Sequence, residues 1–280
     1  MATALPIHED REFSFSDKEF QFLANLANKR TGIVLAEHKK DMVYSRLVRR
    51  LRALHLSSFA EYCELFETEA ADEEIGNLVN AITTNLTSFF REHHHFEHLH
   101  DQLVILAKEQ PSNKRLRIWS AGCSSGMEPY SIAMTVRSAI KDITSWDARI
   151  LATDIDTNML DTGMRGEYQN EQFKNIPQAY HRDVSDNTDG YIQMSDAVRS
   201  LIAFKQLNLL ESWPMKGPFD IIFCRNVVIY FDKPTQAKLF DRMANLLKPE
   251  GWLYIGHSEN LFKVCDRFDL VGRTIYRKLR

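Results

Sequence analysis

The chain has 280 residues, 44% hydrophobic and 26% charged, which is typical of a soluble globular protein with one or two domains. Its net charge of −3 argues against bulk attraction to nucleic acid or anionic membranes. The four cysteines form no CxxC pair, no apolar run approaches the length of a membrane span, and residues 1–15 lack a secretory pattern, so we expect a cytoplasmic protein without disulfides.

The first part of the chain shows only helical patterns. Two N-cap patterns and one terminating glycine mark helix boundaries: Ser16 with Glu19, Ser58 with Glu61, and Gly32. Apolar residues at helical spacing predict two further helices: Val43, Leu47, Leu51 and Leu54, then Ile75, Leu78, Val79 and Ile82. We therefore predict a small all-helical domain over residues 1–82.

The second predicted helix is strongly basic. Between Lys39 and Arg52, six basic residues and one acidic residue give a net charge of +5, so the remainder of the chain carries −8. A solvated helix face is one interpretation, and a docking surface for an acidic partner helix is the other. Nucleic acid is less favoured because no aromatic residues are interleaved for base stacking. The candidate docking residues are Lys39, Lys40, Arg46, Arg49 and Arg50.

Residues 83–100 are predicted to link the helical domain to the rest of the chain. Hydroxyl and amide side chains are frequent between Thr83 and Ser88, which makes a helix here unfavourable. The segment is either a plain linker or a cover over a ligand pocket, in which Arg91 would reach an anionic substrate.

A histidine-rich stretch offers a rival interpretation. His94, Glu97 and His98 match the H-x-x-E-H pattern of inverted zinc proteases. Short patterns match by chance, and His93 and His100 show that the whole region is rich in histidine. We expect no metal site.

From residue 101 onward, strands alternate with helices. Predicted strands are 116–120, 149–154, 219–224, 251–256 and 274–279, with helices at 128–140 and 234–247. This alternation predicts a doubly wound, mainly parallel sheet that binds its ligand at the carboxyl ends of the strands, the last two strands forming an antiparallel edge. Residues 166–206 break the regularity. There we predict an inserted β-subdomain with short strands at 190–194 and 201–204 and an irregular stretch at 183–190.

A glycine turn follows the first strand of this domain. Gly122 permits a sharp turn, and Gly126 removes a Cβ where a ligand or strand would collide. Asp154 ends the next strand, where a carboxylate can accept hydrogen bonds from both hydroxyls of a ribose. An ordinary tight turn is the alternative, but the downstream Asp154 favours an adenosyl-binding α/β domain.

A buried strand, 220–224, leads into polar residues at the expected ligand edge. Asn226 and Tyr230 are the candidates there, although a buried asparagine with satisfied hydrogen bonds is also common.

The chain resembles the CheR family of bacterial chemotaxis receptor methyltransferases from about residue 17 to its end. The matching blocks are Gly32–Leu35, Arg46–Leu51, Thr84–Arg91, Cys123–Gly126, Glu128–Ser131, Ala152–Asp156, Phe223–Val227, Tyr230–Asp232 and Gly256–Glu259. Any one block is weak evidence, whereas the ordered set is strong. The resemblance implies a Rossmann-like S-adenosylmethionine methyltransferase domain that forms methyl esters on receptor glutamates, a protein-glutamate O-methyltransferase serving sensory adaptation.

The resemblance also implies roles for single residues. Cofactor-binding residues would be Asn85, Thr87, Arg91, Gly122, Glu128, Asp154, Asn208, Leu209, Asn226 and Val227. Arg91 and Tyr230 would be catalytic by orienting the incoming carboxylate. The basic helix would meet the cytoplasmic helical domain of receptors, and the β-subdomain would hold a receptor C-terminal peptide, as in some family members. A non-enzymatic adaptor and a dinucleotide oxidoreductase remain alternatives, the second weakened by the incomplete G-x-G-x-x-G spacing.

Overall fold

The computed structural model describes residues 11–68, 71–109, 114–186 and 189–279. The chain divides into two compact units, Met1–Thr83 and Thr84–Arg280, so the segment predicted as a linker falls almost wholly in the larger unit. Residues 1–10, which belong to the stretch predicted to lack a secretory signal, lie outside the described residues. Within the described ranges, none of the helices combines the length and hydropathy needed to cross a membrane.

Over its described residues, the smaller unit contains four α-helices, as predicted. They are α1 (Asp17–Thr31), α2 (Lys40–Ala53), α3 (Phe59–Leu65) and α4 (Ala71–Ile82). Ser16 and Glu19 form the predicted capping box, and Gly32 ends α1 in the left-handed conformation. One apolar core joins the helices and includes Phe20, Leu23, Val43, Leu47, Leu51, Phe59, Tyr62, Leu78 and Ile82.

The larger unit is built on a seven-stranded sheet. Its strands are β1 (Arg115–Ala121), β2 (Asp147–Asp154), β6 (Ile202–Gln206), β7 (Phe219–Cys224), β8 (Leu247–Ile255), β9 (Phe268–Gly272) and β10 (Ile275–Lys278). Its helices are α5 (His94–Glu109), α6 (Met127–Ala139), α7 (Thr157–Arg165), α8 (Asp196–Arg199) and α9 (Lys233–Leu246).

The strand order is β6-β2-β1-β7-β8-β10-β9. The first five strands are parallel, and β10 pairs antiparallel with both β8 and β9. This confirms the Rossmann-like α/β fold with an antiparallel edge. Because the chain extends to opposite sides from β1 and β7, the crevice between the ends of these two strands is where such sheets bind ligands.

The inserted segment forms a separate three-stranded antiparallel sheet in the order β3-β5-β4. Its strands are β3 (Glu167–Gln169), β4 (Val184–Asp186) and β5 (Tyr191–Met194). Met194 N donates to Gly166 O at 2.9 Å, so the end of this sheet is bonded to the point where the chain leaves α7. Part of the predicted irregular stretch, 187–188, lies outside the described residues.

Two strand assignments need correction. The predicted strand at 201–204 does not belong to the insertion, because residues 202–206 form β6 and pair in parallel with β2 at the edge of the main sheet. The opposite edge strand, β9, was not predicted. Its five residues, Phe-Asp-Leu-Val-Gly, do not alternate between apolar and polar over a length that marks a strand in sequence.

Candidate functional site

The glycine turn after β1 lies against the loop after β7. Gly122 has a φ of +79°, and its N–H donates to Thr153 O at 2.8 Å. A Cβ on Gly122 would lie 2.2 Å from Val227 Cγ2, so any side chain at Gly122 would force Val227 to move. The missing side chain therefore lets two loops meet at the crevice between β1 and β7. The predicted site residues Gly122 and Val227 come together there.

Asp154 ends β2 beside this turn and is buried. Its carboxylate accepts hydrogen bonds from Ser124 N at 2.7 Å and from Asp156 N at 3.0 Å. Burial raises the pKa of the Asp154 carboxyl, and the backbone donors oppose that rise. The position matches the one predicted for a ribose-binding carboxylate, although the binding role itself stays a prediction.

Residues 84–93 are attached to the same edge of the sheet. Ser124 Oγ donates to Asn85 O at 3.1 Å, and Asn85 Nδ2 donates to Asp156 Oδ2 at 2.7 Å. The Arg91 guanidinium turns back to Leu86 O at 2.9 Å, and Thr87 is half-buried. The segment predicted to cover the pocket is thus fixed beside the turn and the end of β2.

A buried arginine joins three parts of the site. Arg225 Nη1 donates to Glu128 Oε2 at 3.0 Å, and Arg225 Nη2 bonds to Arg91 O and lies 3.5 Å from Glu92 Oε2. The other Glu128 oxygen accepts from Ser120 Oγ at 2.8 Å. Burial raises the pKa of Glu128, which the arginine opposes. Sequence analysis missed Arg225; its only signal was a charged residue directly after a buried strand.

Glu128 was predicted to contact the cofactor. In the structure each of its carboxylate oxygens already has a protein partner, Ser120 on one side and Arg225 on the other. Direct binding through Glu128 would share those oxygens with a ligand, so this role stays a prediction.

The loop after β7 carries Asn226, Val227 and Tyr230. Asn226 adopts a left-handed conformation with φ +59°. Tyr230 is half-buried in a short 3₁₀ turn, and its N–H donates to Val227 O at 3.2 Å. Glu259, which the sequence analysis did not select, accepts hydrogen bonds from this loop.

The connection after β6 returns towards Asp154. Leu207 N donates to Asp154 O at 2.9 Å, which places the next two residues beside the end of β2. Asn208 Oδ1 accepts from Leu210 N at 3.0 Å, and Leu209 is buried. Asn208 and Leu209 therefore lie at the sheet edge where β2 ends in Asp154, the proposed ribose-binding carboxylate.

The H-x-x-E-H histidines bind separate protein groups. His94 bonds to a backbone carbonyl of the β9–β10 turn at 3.0 Å, and His98 to a tyrosine hydroxyl of β8 at 2.8 Å. Within the described residues, His94 instead groups with Glu92 and His95, with ligand atoms within 4.8 Å of one another. The Arg225 guanidinium, 3.5 Å from Glu92, places positive charge there and disfavours a cation.

His95 gives the larger unit a predictable acid sensitivity. Burial, with the nearby Arg225, lowers the pKa of His95 to about 3 from its usual 6.5. The unfolded chain therefore takes up a proton below pH 6.5 that the folded chain resists. In the wild type, the unfolding free energy should therefore fall by up to about 1.4 kcal/mol per pH unit below pH 6.5. We expect His95→Gln to remove this fall. Urea titration followed by tryptophan fluorescence measures it, because all four tryptophans lie in the larger unit.

The exposed His38 in the smaller unit supplies the control for that experiment. His38→Gln should leave the pH slope of the tryptophan transition unchanged. An identical slope in wild type and His95→Gln would contradict the assignment.

At least three of the five predicted docking residues have partners within the smaller unit. Arg46 donates to the last carbonyls of α4, including Ile82 O at 3.0 Å. Arg50 forms a bidentate pair with the buried Glu74 at 2.7 and 2.8 Å. Lys40 pairs with Asp17 at 2.6 Å on the surface, and Lys39 is half-buried. Arg49 is exposed and forms no salt bridge within the described residues.

Sequence comparisons cover almost all of the chain. The profile of the CheR methyltransferase SAM-binding domain matches residues 85–277, and that of the CheR methyltransferase all-alpha domain matches residues 18–83. The chain is 44% identical to chemotaxis protein methyltransferase 2 of Pseudomonas aeruginosa over 98% of both chains. It is 42% identical to the chemotaxis protein methyltransferase of Escherichia coli, covering 98% of this chain and 95% of the relative. A probable chemotaxis protein methyltransferase of Rhizobium etli is 46% identical over 88% of this chain and 94% of its own length.

Proposed function

The chain belongs to the CheR methyltransferase family, and on that premise we propose that it methylates glutamate side chains of chemotaxis receptors in sensory adaptation. The protein is an S-adenosylmethionine-dependent methyltransferase. The observation that best supports the proposal is the Gly122–Val227 approach at the ligand crevice beside Asp154. We propose further that it works in the cytoplasm and is recruited to membrane receptor arrays by the receptor.

The residues at the crevice fit an adenosyl ligand. Asp154 offers a buried carboxylate to the ribose hydroxyls, and Asn208 with Leu209 follows at the adenine end. Asn226 and Val227 are proposed to line the methionine end. The other residues proposed to contact the cofactor are Asn85, Thr87, Arg91, Gly122 and Glu128. When bound, S-adenosylmethionine supplies an electrophilic methyl group on a positively charged sulfur.

The acceptor needs little chemical activation by the protein. A glutamate side chain has a reference pKa of about 4.3, so at neutral pH it is already an ionised nucleophile. No general base is required. The protein's residues instead align the carboxylate and exclude water, which favours a reaction that cancels opposite charges.

Arg91 and Tyr230 are the proposed orienting groups for that carboxylate. Arg91→Ala and Tyr230→Phe should each lower kcat about tenfold or more, since each removes one hydrogen-bond donor to the acceptor. The affinity for S-adenosylhomocysteine should change less than kcat in both variants, and least in Tyr230→Phe, because Arg91 is also a proposed cofactor contact. Methylation assays with titration calorimetry separate the two effects. Full turnover in both variants would show that neither residue orients the substrate; Arg91→Lys tests whether charge alone suffices.

Arg49 is the strongest test of receptor docking through α2. Arg49→Glu should raise the KM for receptor several-fold, and more at low salt, because screening weakens exposed charge pairs. Reversal of Arg46 or Arg50 would instead disturb the contacts with α4 and Glu74. Lys29→Glu, an equal charge change on the exposed end of α1, is the matched control. Equal KM values for wild type and Arg49→Glu at all salt concentrations would support the solvated-face interpretation.

The insertion is proposed to hold a receptor C-terminal peptide. Strands β3 and β4 are the edges of a three-stranded sheet, and an extended peptide can add a strand to such an edge. Calorimetric titration of the full chain with receptor C-terminal peptides tests this; the absence of saturable binding would refute it.

Labelled methyl transfer tests the function as a whole. We expect S-adenosylhomocysteine to bind the purified protein and radiolabelled methyl to appear on receptor-containing membranes as base-labile esters. Cofactor binding without transfer would favour the non-enzymatic adaptor. Binding of NAD without S-adenosylhomocysteine would favour the oxidoreductase.

A further inference from the structure

Glu259 lies in the loop after β8 and gathers backbone donors from two loops. Its Oε1 accepts from Val227 N and Val228 N, each at 3.0 Å, and its Oε2 accepts from Asn226 N at 3.0 Å and from Gly256 N. The side chain is buried. One carboxylate thus satisfies four main-chain N–H groups, three of them consecutive.

This arrangement determines the shape of the loop after β7. Three successive N–H groups that point to one anion define a concave turn, and Asn226 within it has the left-handed φ of +59°. Gly256 keeps room for the loop, since a Cβ there would lie 2.3 Å from Asn226 Nδ2. The carboxylate therefore holds the end of β7 against the end of β8.

Only an ionised carboxylate matches four donors. Each carboxylate oxygen accepts two hydrogen bonds here, whereas a glutamine at this position would point an NH₂ group at two of the four N–H groups. An aspartate would keep both acceptor oxygens but is one methylene shorter. These differences separate the contribution of the acceptors from that of side-chain volume.

We propose that Glu259 is a positioning residue for S-adenosylmethionine: it fixes Asn226 and Val227 in the conformation that binds the cofactor. The inference rests on the proposed function, which assigns those two residues to the cofactor. The Glu259 carboxylate bonds to the backbone of residues 226–228 and acts through that loop.

The test measures S-adenosylhomocysteine affinity of full-length variants by calorimetry. Glu259→Gln should raise Kd at least about tenfold, which corresponds to about 1.4 kcal/mol. Glu259→Asp should keep more affinity than Glu259→Gln, although glutamine is closer to glutamate in volume. The KM for S-adenosylmethionine should rise more than kcat falls.

Asp183→Asn is the matched control, because it also converts a buried carboxylate to an amide. Asp183 lies in the insertion and pairs with Arg137 of α6 at 2.9 Å. It should lower the thermal midpoint without changing the Kd. Gly256→Ala tests the same loop from the other side and should also raise the Kd; it serves if Glu259→Gln does not fold.

Wild-type Kd in Glu259→Gln, or in Gly256→Ala, overturns the inference, as does tighter binding by the glutamine variant than by the aspartate variant. Failure of the wild-type protein to bind S-adenosylhomocysteine would instead overturn the proposed function. The two failures are therefore distinguishable.

Discussion

Asp154→Ala is expected to weaken S-adenosylhomocysteine binding by about a hundredfold or more, or about 2.7 kcal/mol. A carboxylate that accepts two ribose hydroxyls makes two charge-assisted hydrogen bonds, each worth about 1.5–3 kcal/mol. The Asp154 carboxylate also accepts Ser124 N and Asp156 N, so its removal further loosens the glycine turn. Calorimetric titration measures the effect.

Asp154→Asn provides the comparison for this variant. It retains the size of the side chain and one acceptor oxygen, so its Kd should lie between wild type and alanine. Thermal midpoints of the same samples report the contribution of the turn. An unaltered Kd in the alanine variant would remove Asp154 from the ribose site.

Arg225→Met is expected to lower the unfolding free energy of the larger unit by about 3–5 kcal/mol. The substitution leaves Glu128 buried beside Glu92 without the guanidinium that now bonds to it at 3.0 Å. Burial already raises the pKa of Glu128, so in the variant this carboxyl should take up a proton. The loss should therefore grow as the pH rises, because ionisation of the unpaired carboxyl then favours the unfolded chain.

The double variant Arg225→Met/Glu128→Gln isolates the cause. If the unpaired charge carries the effect, the second substitution should recover part of the lost stability and reduce its pH dependence. Urea transitions followed by tryptophan fluorescence measure the unfolding free energy of both variants at each pH. A single variant within about 1 kcal/mol of wild type would show that the buried pair contributes little.

Local features of the fold were predictable from sequence. The capping box at Ser16 and Glu19 depends on atoms three residues apart, and the strand predicted at 219–224 has the bounds of β7. In contrast, β6 is short, all five of its residues are exposed or half-buried, and its partner β2 lies about fifty residues earlier. Nothing in the residues of β6 indicates whether this strand belongs to the main sheet or to the insertion.

The residues of the candidate site likewise divide into those that the sequence predicts and those that it does not. Asp154 could be placed because a residue at the carboxyl end of a parallel strand has a defined location. Glu259 and Arg225 could not, because their partners lie 33 and 97 residues away along the chain. The charge count over α2 likewise gave the number of arginines but not the buried Glu74 that pairs with Arg50.

The hydrogen bond between Met194 N and Gly166 O has a consequence for how such chains diverge. Residues 167–193 form a loop whose two ends are already joined, so lengthening or shortening it changes the closure entropy only slightly. Tyr168, whose hydroxyl donates to Ser125 O at 2.6 Å, and Asp183, which pairs with Arg137 of α6 at 2.9 Å, fix the insertion to the rest of the larger unit, so changes in its length that keep these anchors should leave the main sheet undisturbed.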